Sequence, residues 1–79
     1  MPVLRLFASA REAAGTGRVE LDGSTVDEVL AAASTRFGQR FVDVLATAKV
    51  WVNGEPAERG DAVAADDEVA VLPPVSGGA

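Results

Sequence analysis

Apolar positions along the chain fall into short runs and one helical stripe, separated by polar turns. Pro2 to Ala8 is dense in Val3, Leu4, Leu6 and Phe7 with only Arg5 between them. That density predicts a strand covered on most of both faces, inside a sheet rather than at its edge. Ser9-Ala10-Arg11-Glu12 has the spacing of a capping box, in which serine and glutamate side chains satisfy each other's free backbone N–H groups. With Gly15 available as a stop, it predicts a one-turn helix or a structured loop. Arg18 to Leu21 alternates, with Val19 and Leu21 on one face, and Asp22-Gly23 closes this second strand as a turn.

Thr25-Val26-Asp27-Glu28 offers a second capping box, and Val26, Val29, Leu30, Ala33 and Phe37 then recur at helical spacing up to Gly38. Each large member of this stripe contributes roughly 1.5–3 kcal/mol when fully buried. The helix must therefore lie against a sheet, the other sizeable apolar surface the chain can make. Phe41, Val42, Val44 and Leu45 predict a short second helical turn, and Lys49-Val50-Trp51-Val52 a strand whose register decides which way Trp51 faces. Asn53-Gly54 is a hairpin signal, because both residues accept the positive φ angles of a type I′ turn, and Pro56 keeps the returning strand short or at an edge. Asp61 to Asp67 reads as polar turns around a small apolar cluster, and Glu68 to Leu72 as a last strand ending at Pro73-Pro74. The order ββαβ(β)β predicts an α+β, ubiquitin-like β-grasp domain over residues 1–72. Its sheet is mixed, with the first and last strands central and parallel and one main helix packed across it. Residues 73–79 are expected to form a flexible C-terminal tail.

Composition narrows the chemistry. In 79 residues, 48% are hydrophobic and 24% charged, which suits one small globular domain. The net charge is −5 with no basic run, the wrong sign for nucleic acid or an anionic membrane and the right one for a partner with a basic surface. Cysteine and histidine are both absent, which removes thiolate nucleophiles, imidazole bases, disulfides and the usual zinc ligands, so a carrier or binding module is favoured over an autonomous enzyme. The opening MPVLRLFASAR lacks the apolar core of a secretory signal and no stretch approaches a membrane span, so a cytoplasmic protein is expected. The acidic group Asp61, Asp66, Asp67 and Glu68 has no metal-loop spacing; a solvated face is the expectation, with attraction to basic partners as its functional reading.

Three separated stretches carry a resemblance: Leu6-Phe7-Ala8 with Arg11-Glu12 and Gly15, Val52-Asn53, and Asp67-Glu68-Val69 through Pro73-Pro74-Val75-Ser76-Gly77-Gly78. Together they resemble the small subunit of molybdopterin synthase (MoaD) within the ThiS-like, ubiquitin-related sulfur carriers. The resemblance implies that an adenylyltransferase/sulfurtransferase partner (MoeB-like) uses ATP to adenylate the terminal glycine carboxylate. The product is converted to a thiocarboxylate, whose sulfur passes to a cyclic pyranopterin in a pocket of the large subunit (MoaE-like), two small subunits joining a large-subunit dimer in a heterotetramer. No cofactor or metal is bound by the carrier. Gly78 with Gly77 would be the reactive end, and Phe7, Arg11, Leu72, Pro73, Pro74, Val75 and Ser76 the partner-facing set. The physics of the tail agrees: diproline stiffens the exit, glycines thread a narrow channel, and Pro73 to Gly78 reach roughly 20 Å when extended.

Plainer readings stand beside these. Phe7 reads as core on its local pattern, an outward aromatic serving a partner being the alternative, and Arg11 with Glu12 reads as capping and surface charge. Leu72 and Val75 are read as partner contacts, because apolar residues beside a tail gain little in water. Ala79 departs from the family, since it ties the Gly78 acid into a peptide bond and sets the free carboxylate roughly 3.5 Å further out, on a carbon bearing a methyl. Proteolytic removal, a residue left by cloning, and loss of carrier function are the three explanations. Other expectations on the same tail are a carrier for thiamine, tRNA thiolation or another pathway, a ubiquitin-like modifier forming isopeptide bonds to lysine, and a plain interaction domain with an inert tail.

Overall fold

The predicted strands pair into a five-stranded sheet in the computed structural model, which describes residues 1–74. These are β1 (Val3–Leu6), β2 (Arg18–Glu20), β3 (Lys49–Val52), β4 (Glu55–Pro56) and β5 (Glu68–Leu72), in the order β2-β1-β5-β3-β4. β1 and β5 run parallel, with Leu4 beside Val69 and Leu6 beside Val71, and the other neighbours are antiparallel. The first and last strands are thus interior, as the apolar density of the first and the order of the elements implied. β1 nevertheless alternates: Leu4 and Leu6 are buried, while Val3 and Arg5 are only partly covered. A strand inside this sheet is packed on one face only, so the expectation of cover on both faces fails.

Helix α2 (Val26–Phe37) buries Val26, Val29, Leu30 and Ala33 in the common core with Leu4, Leu6, Val69 and Val71. Thr25 caps it, its Oγ1 accepting from the Glu28 N–H at 3.2 Å. The return bond differs from a capping box, because Glu28 Oε1 accepts from the Ser24 N–H at 2.7 Å, one residue earlier than expected. The next free N–H groups, on Val26 and Asp27, donate to the carbonyls of Asp61 and Arg59. The 59–61 loop therefore finishes the cap that side chains begin.

Two shorter helices are longer than the pattern suggested. α1 (Ala8–Ala14) and α3 (Gln39–Leu45) each have 7 residues, and they pack on each other and on the core through Ala10, Phe41 and Leu45. The Ser9 capping box does not form: Phe7 holds the N-cap position, without a side-chain cap, and Ser9 lies inside the helix. Phe41 is fully buried, its ring 5.4 Å from that of Phe37. The Asn53-Gly54 turn is as predicted, with φ of 50° and 83°, and Pro56 falls in the two-residue edge strand β4. A mixed sheet with helices packed across it is the ubiquitin-like β-grasp fold.

Candidate functional site at the root of the tail

The last described strand ends in the middle of the sheet, so its neighbours decide what surrounds the exit of the chain. β5 carries Val69 and Val71 into the core and leaves Ala70 and Leu72 on the open face. Antiparallel pairing sets Lys49 beside Leu72 and Trp51 beside Ala70, and parallel pairing sets Arg5 on the other side of Ala70. Buried Val50 points the opposite way from Lys49 and Trp51. This settles the orientation of Trp51, which sequence left open: it is half-buried on the open face.

Phe7 follows the parity of Arg5, not that of Leu4 and Leu6, and is 40% exposed. The core reading of Phe7 is therefore corrected; alternation, not local apolarity, governs it. Its ring lies 5.9 Å from the Arg5 guanidinium carbon, and Arg5 Nη1 is 3.5 Å from Glu68 Oε2. Both contacts are on the surface, each worth at most about 1 kcal/mol. Because Leu6 opposes Val71, Phe7 reaches the end of the sheet where Leu72 leads into Pro73 and Pro74.

A cavity of about 410 Å³ opens at this end, lined by Thr47, Lys49, Trp51, Leu72, Pro73 and Pro74. A second, of about 510 Å³, lies on the side of β3 toward β4 and Arg59; Lys49 and Trp51 line both. The smaller is the one that touches the tail. Of the residues expected to face a partner, Phe7, Leu72, Pro73 and Pro74 thus come together. Arg11 does not join them in any contact seen here: its side chain lies over Gly17, in the α1–β2 connection. Val75, Ser76, Gly77 and Gly78, and Ala79 with them, lie outside the described residues. Lys49, Trp51 and Arg5 were missed as site residues, although the Lys-Val-Trp-Val alternation already put Lys49 and Trp51 on one face.

The acidic group is partly structural. Asp61 Oδ2 accepts from the Glu58 N–H at 2.9 Å, and Asp67 Oδ2 from the Ala64 N–H at 2.8 Å, so each closes a turn. Asp67 Oδ1 also accepts from Asn53 Nδ2 at 2.9 Å, while Asn53 Oδ1 accepts from the Glu68 N–H at 2.9 Å. The Ala64 N–H and then the Asn53 amide stabilise the Asp67 carboxylate and hold its pKa below the ordinary 3.8. Among the described residues, no group of three or more His, Cys, Asp or Glu stands where it could hold a metal ion. No described helix is long and apolar enough to cross a membrane.

The pattern of the ThiS family matches residues 4–78, which takes in all of the sheet but Val3 and includes the Gly77-Gly78 pair. The chain belongs to the ThiS family. It is 42% identical over 94% of its length to small archaeal modifier protein 1 of Haloferax volcanii, covering 97% of that protein. A crystal structure of that modifier superposes with a TM-score of 0.82 at 38% identity, covering 98% of each chain. The solution structure of small archaeal modifier protein 1 from Methanosarcina acetivorans gives 0.87 at 27% identity, over 98% of this chain and 95% of that one. A putative molybdopterin converting factor, subunit 1, from Pyrococcus furiosus gives 0.78 at 25% identity, over 94% and 97%. This ThiS-family chain is accordingly a small β-grasp protein of the sulfur-carrier and ubiquitin-like superfamily, whose members are not catalysts in their own right. The resemblance to molybdopterin-synthase small subunits holds at that broader level.

Proposed function

We propose that this chain is a ubiquitin-like protein modifier, joined through the Gly78 carbonyl to amines of other proteins, on a tail whose chemistry also suits sulfur carriage. The observation that carries the reading is the 42% identity, over nearly the whole of both chains, to a protein named as a modifier. A partner enzyme uses ATP to form an acyl-adenylate at Gly78. The acyl carbon then loses its bond to the phosphate oxygen as AMP leaves, to a lysine amine in modification or to a sulfur nucleophile in carriage. Because Gly78 must present a free acid, Ala79 is removed first.

The chain's own part is to present the tail. Phe7, Leu72, Pro73, Pro74 and Trp51 give the adenylating partner an apolar footing beside the exit, and Val75 and Ser76 carry the chain on toward Gly77 and Gly78, which lack side chains to obstruct a narrow channel. A molybdopterin-synthase small subunit is the second reading, supported by the 25% identity to the Pyrococcus protein. A MoaE-like large subunit and a heterotetramer belong to that reading alone.

The test is recovery of the protein by antibody from its host under denaturing conditions, followed by peptide mapping. The modifier reading expects lysines of other proteins carrying the tail peptide that ends at Gly78, and their loss when Gly78 is deleted. Recovery of free chain and thiocarboxylate alone, with no conjugate, would leave only sulfur carriage.

A further inference from the structure

The chain contains a single lysine, Lys49. Its other six cations are arginines, which do not form amide bonds with acyl-adenylates under these conditions because the guanidinium stays protonated. A modifier with one lysine has one side chain through which a second copy can be attached, and its position in the fold therefore decides whether copies can be linked. Lys49 is exposed, opens β3 on the uncovered face of the sheet, and stands beside Leu72 in the register with β5. It lines the cavity at the root of the tail, whose other walls include Trp51, Leu72, Pro73 and Pro74. Among the described residues it takes part in neither of the two ion pairs, which are Arg5 with Glu68 and Arg59 with Asp27.

Resting on the modifier reading above, we propose that Lys49 is the site at which one copy of this protein is joined to the Gly78 end of another. The neutral Nζ attacks the carbonyl carbon of the incoming acyl-adenylate. A C–N bond forms, the bond from that carbon to the phosphate oxygen breaks, AMP departs with the oxygen, and the extra proton on nitrogen goes to water. The driving force is the ATP already consumed, with loss of pyrophosphate, in making the adenylate. The apolar wall of Trp51 and Leu72 beside the amine gives the incoming tail, with its own Pro73-Pro74-Val75, a surface on which to lie. The face itself carries Arg5, Arg18 and Lys49 against Glu20 and Glu68, so a second chain of net charge −5 meets a face with more cations than carboxylates here.

The test maps the linkage in protein recovered by antibody from its host, with monomer-sized and dimer-sized species digested separately by trypsin. The expected product, in the dimer-sized species, is peptide 41–59 left uncut at Lys49 and carrying peptide 60–78 through an isopeptide bond. Lys49→Arg should abolish that species while conjugates on other proteins persist. Three results overturn the proposal: peptide 1–5 carrying the tail, which would place the linkage on the α-amine; the branched peptide confined to monomer-sized protein, which would be a lactam within one chain; or abundant conjugates on other proteins with no self-linked species. Absence of every conjugate, from wild type and variant alike, is the separate failure of the modifier reading itself.

Discussion

Asn53→Ala measures what holds the strand from which the tail emerges. Asn53 sits at φ 50°, and its side chain donates to Asp67 Oδ1 and accepts from the Glu68 N–H, each at 2.9 Å. Alanine at this position pays about 1–2 kcal/mol for a left-handed conformation. Two side-chain hydrogen bonds go with the amide, each worth about 0.5–1.5 kcal/mol net and nearer the low end in water. The expected loss is about 2–4 kcal/mol, a large share of the 5–15 kcal/mol typical of a domain, and a fall in Tm of roughly 10–25 °C. Urea unfolding followed by the fluorescence of Trp51, the only tryptophan, reads it directly. Asn53→Gly loses the same two bonds without the left-handed strain and should be the milder change, though glycine's freedom in the unfolded chain takes back about 0.5–1 kcal/mol of the difference. A cycle with Asp67→Ala should show coupling of about 0.5–1 kcal/mol. If alanine costs under about 0.5 kcal/mol, or glycine proves the worse of the two, the turn and its side-chain clamp do not fix the start of β5 as argued.

Two further perturbations probe the same scaffold. A Cβ on Gly23 would stand 2.7 Å from Val29 Cγ2 and 2.8 Å from Val29 N, so Gly23→Ala should cost about 1–3 kcal/mol by thermal denaturation. An unchanged Tm would mean that the turn before α2 can move away freely. The Asp67 carboxyl titrates below its ordinary 3.8 in the folded chain, so its contribution to stability is complete above that value and disappears as pH falls through the depressed folded value. Asp67→Asn should therefore lose stability near neutrality and show a shallower fall than wild type below about pH 4 in acid titrations; parallel curves would show that the Ala64 and Asn53 bonds do not favour the charged form.

The sheet was legible because its signals are local. Alternation in Arg18 to Leu21, the Asn53-Gly54 turn and the helical stripe from Val26 to Phe37 each follow from a period or a backbone preference that neighbours enforce. What was misread depended on partners distant in sequence. Phe7 looks like core in a row of apolar residues, and only its parity with Arg5 turns it outward. Ser9 has a capping-box spacing, but α1 starts at Ala8, too early in the chain for Ser9 to stand at its N-cap. Glu28 accepts from the Ser24 N–H instead of that of Thr25, and the distant carbonyls of Asp61 and Arg59 take the N–H groups of Val26 and Asp27. Asp61 and Asp67 lie on the surface as expected, and only the turns they close, with donors at Glu58 and Ala64, were not foreseen. At the site, Leu72, Pro73 and Pro74 were found from the tail motif, whereas Lys49 and Trp51 join them only through β3–β5 pairing, Lys49 with Leu72 and Trp51 with Ala70, which is distant in sequence and has no signature in either segment alone.

On the proposed function, other proteins draw the chain end into a pocket, which would put a mechanical demand on the strand that anchors it. On an edge strand, with one hydrogen-bonded neighbour, a pull on the tail would meet a single ladder and tend to peel it. β5 is held on both sides, parallel to β1 and antiparallel to β3, and its Val69 and Val71 are 0% exposed. Withdrawing it would break two ladders and open the core at once. The central place of β5 therefore ties the start of the exit firmly to the domain, as the proposed handling of Gly78 by a partner would require. The same placement has a second consequence: a strand with neighbours on both sides must share the surface at its exit with them. Here those neighbours contribute an exposed phenylalanine on one side and a tryptophan with the only lysine on the other, so on the proposed function whatever docks beside Pro73 would also meet the one lysine to which another copy could be joined.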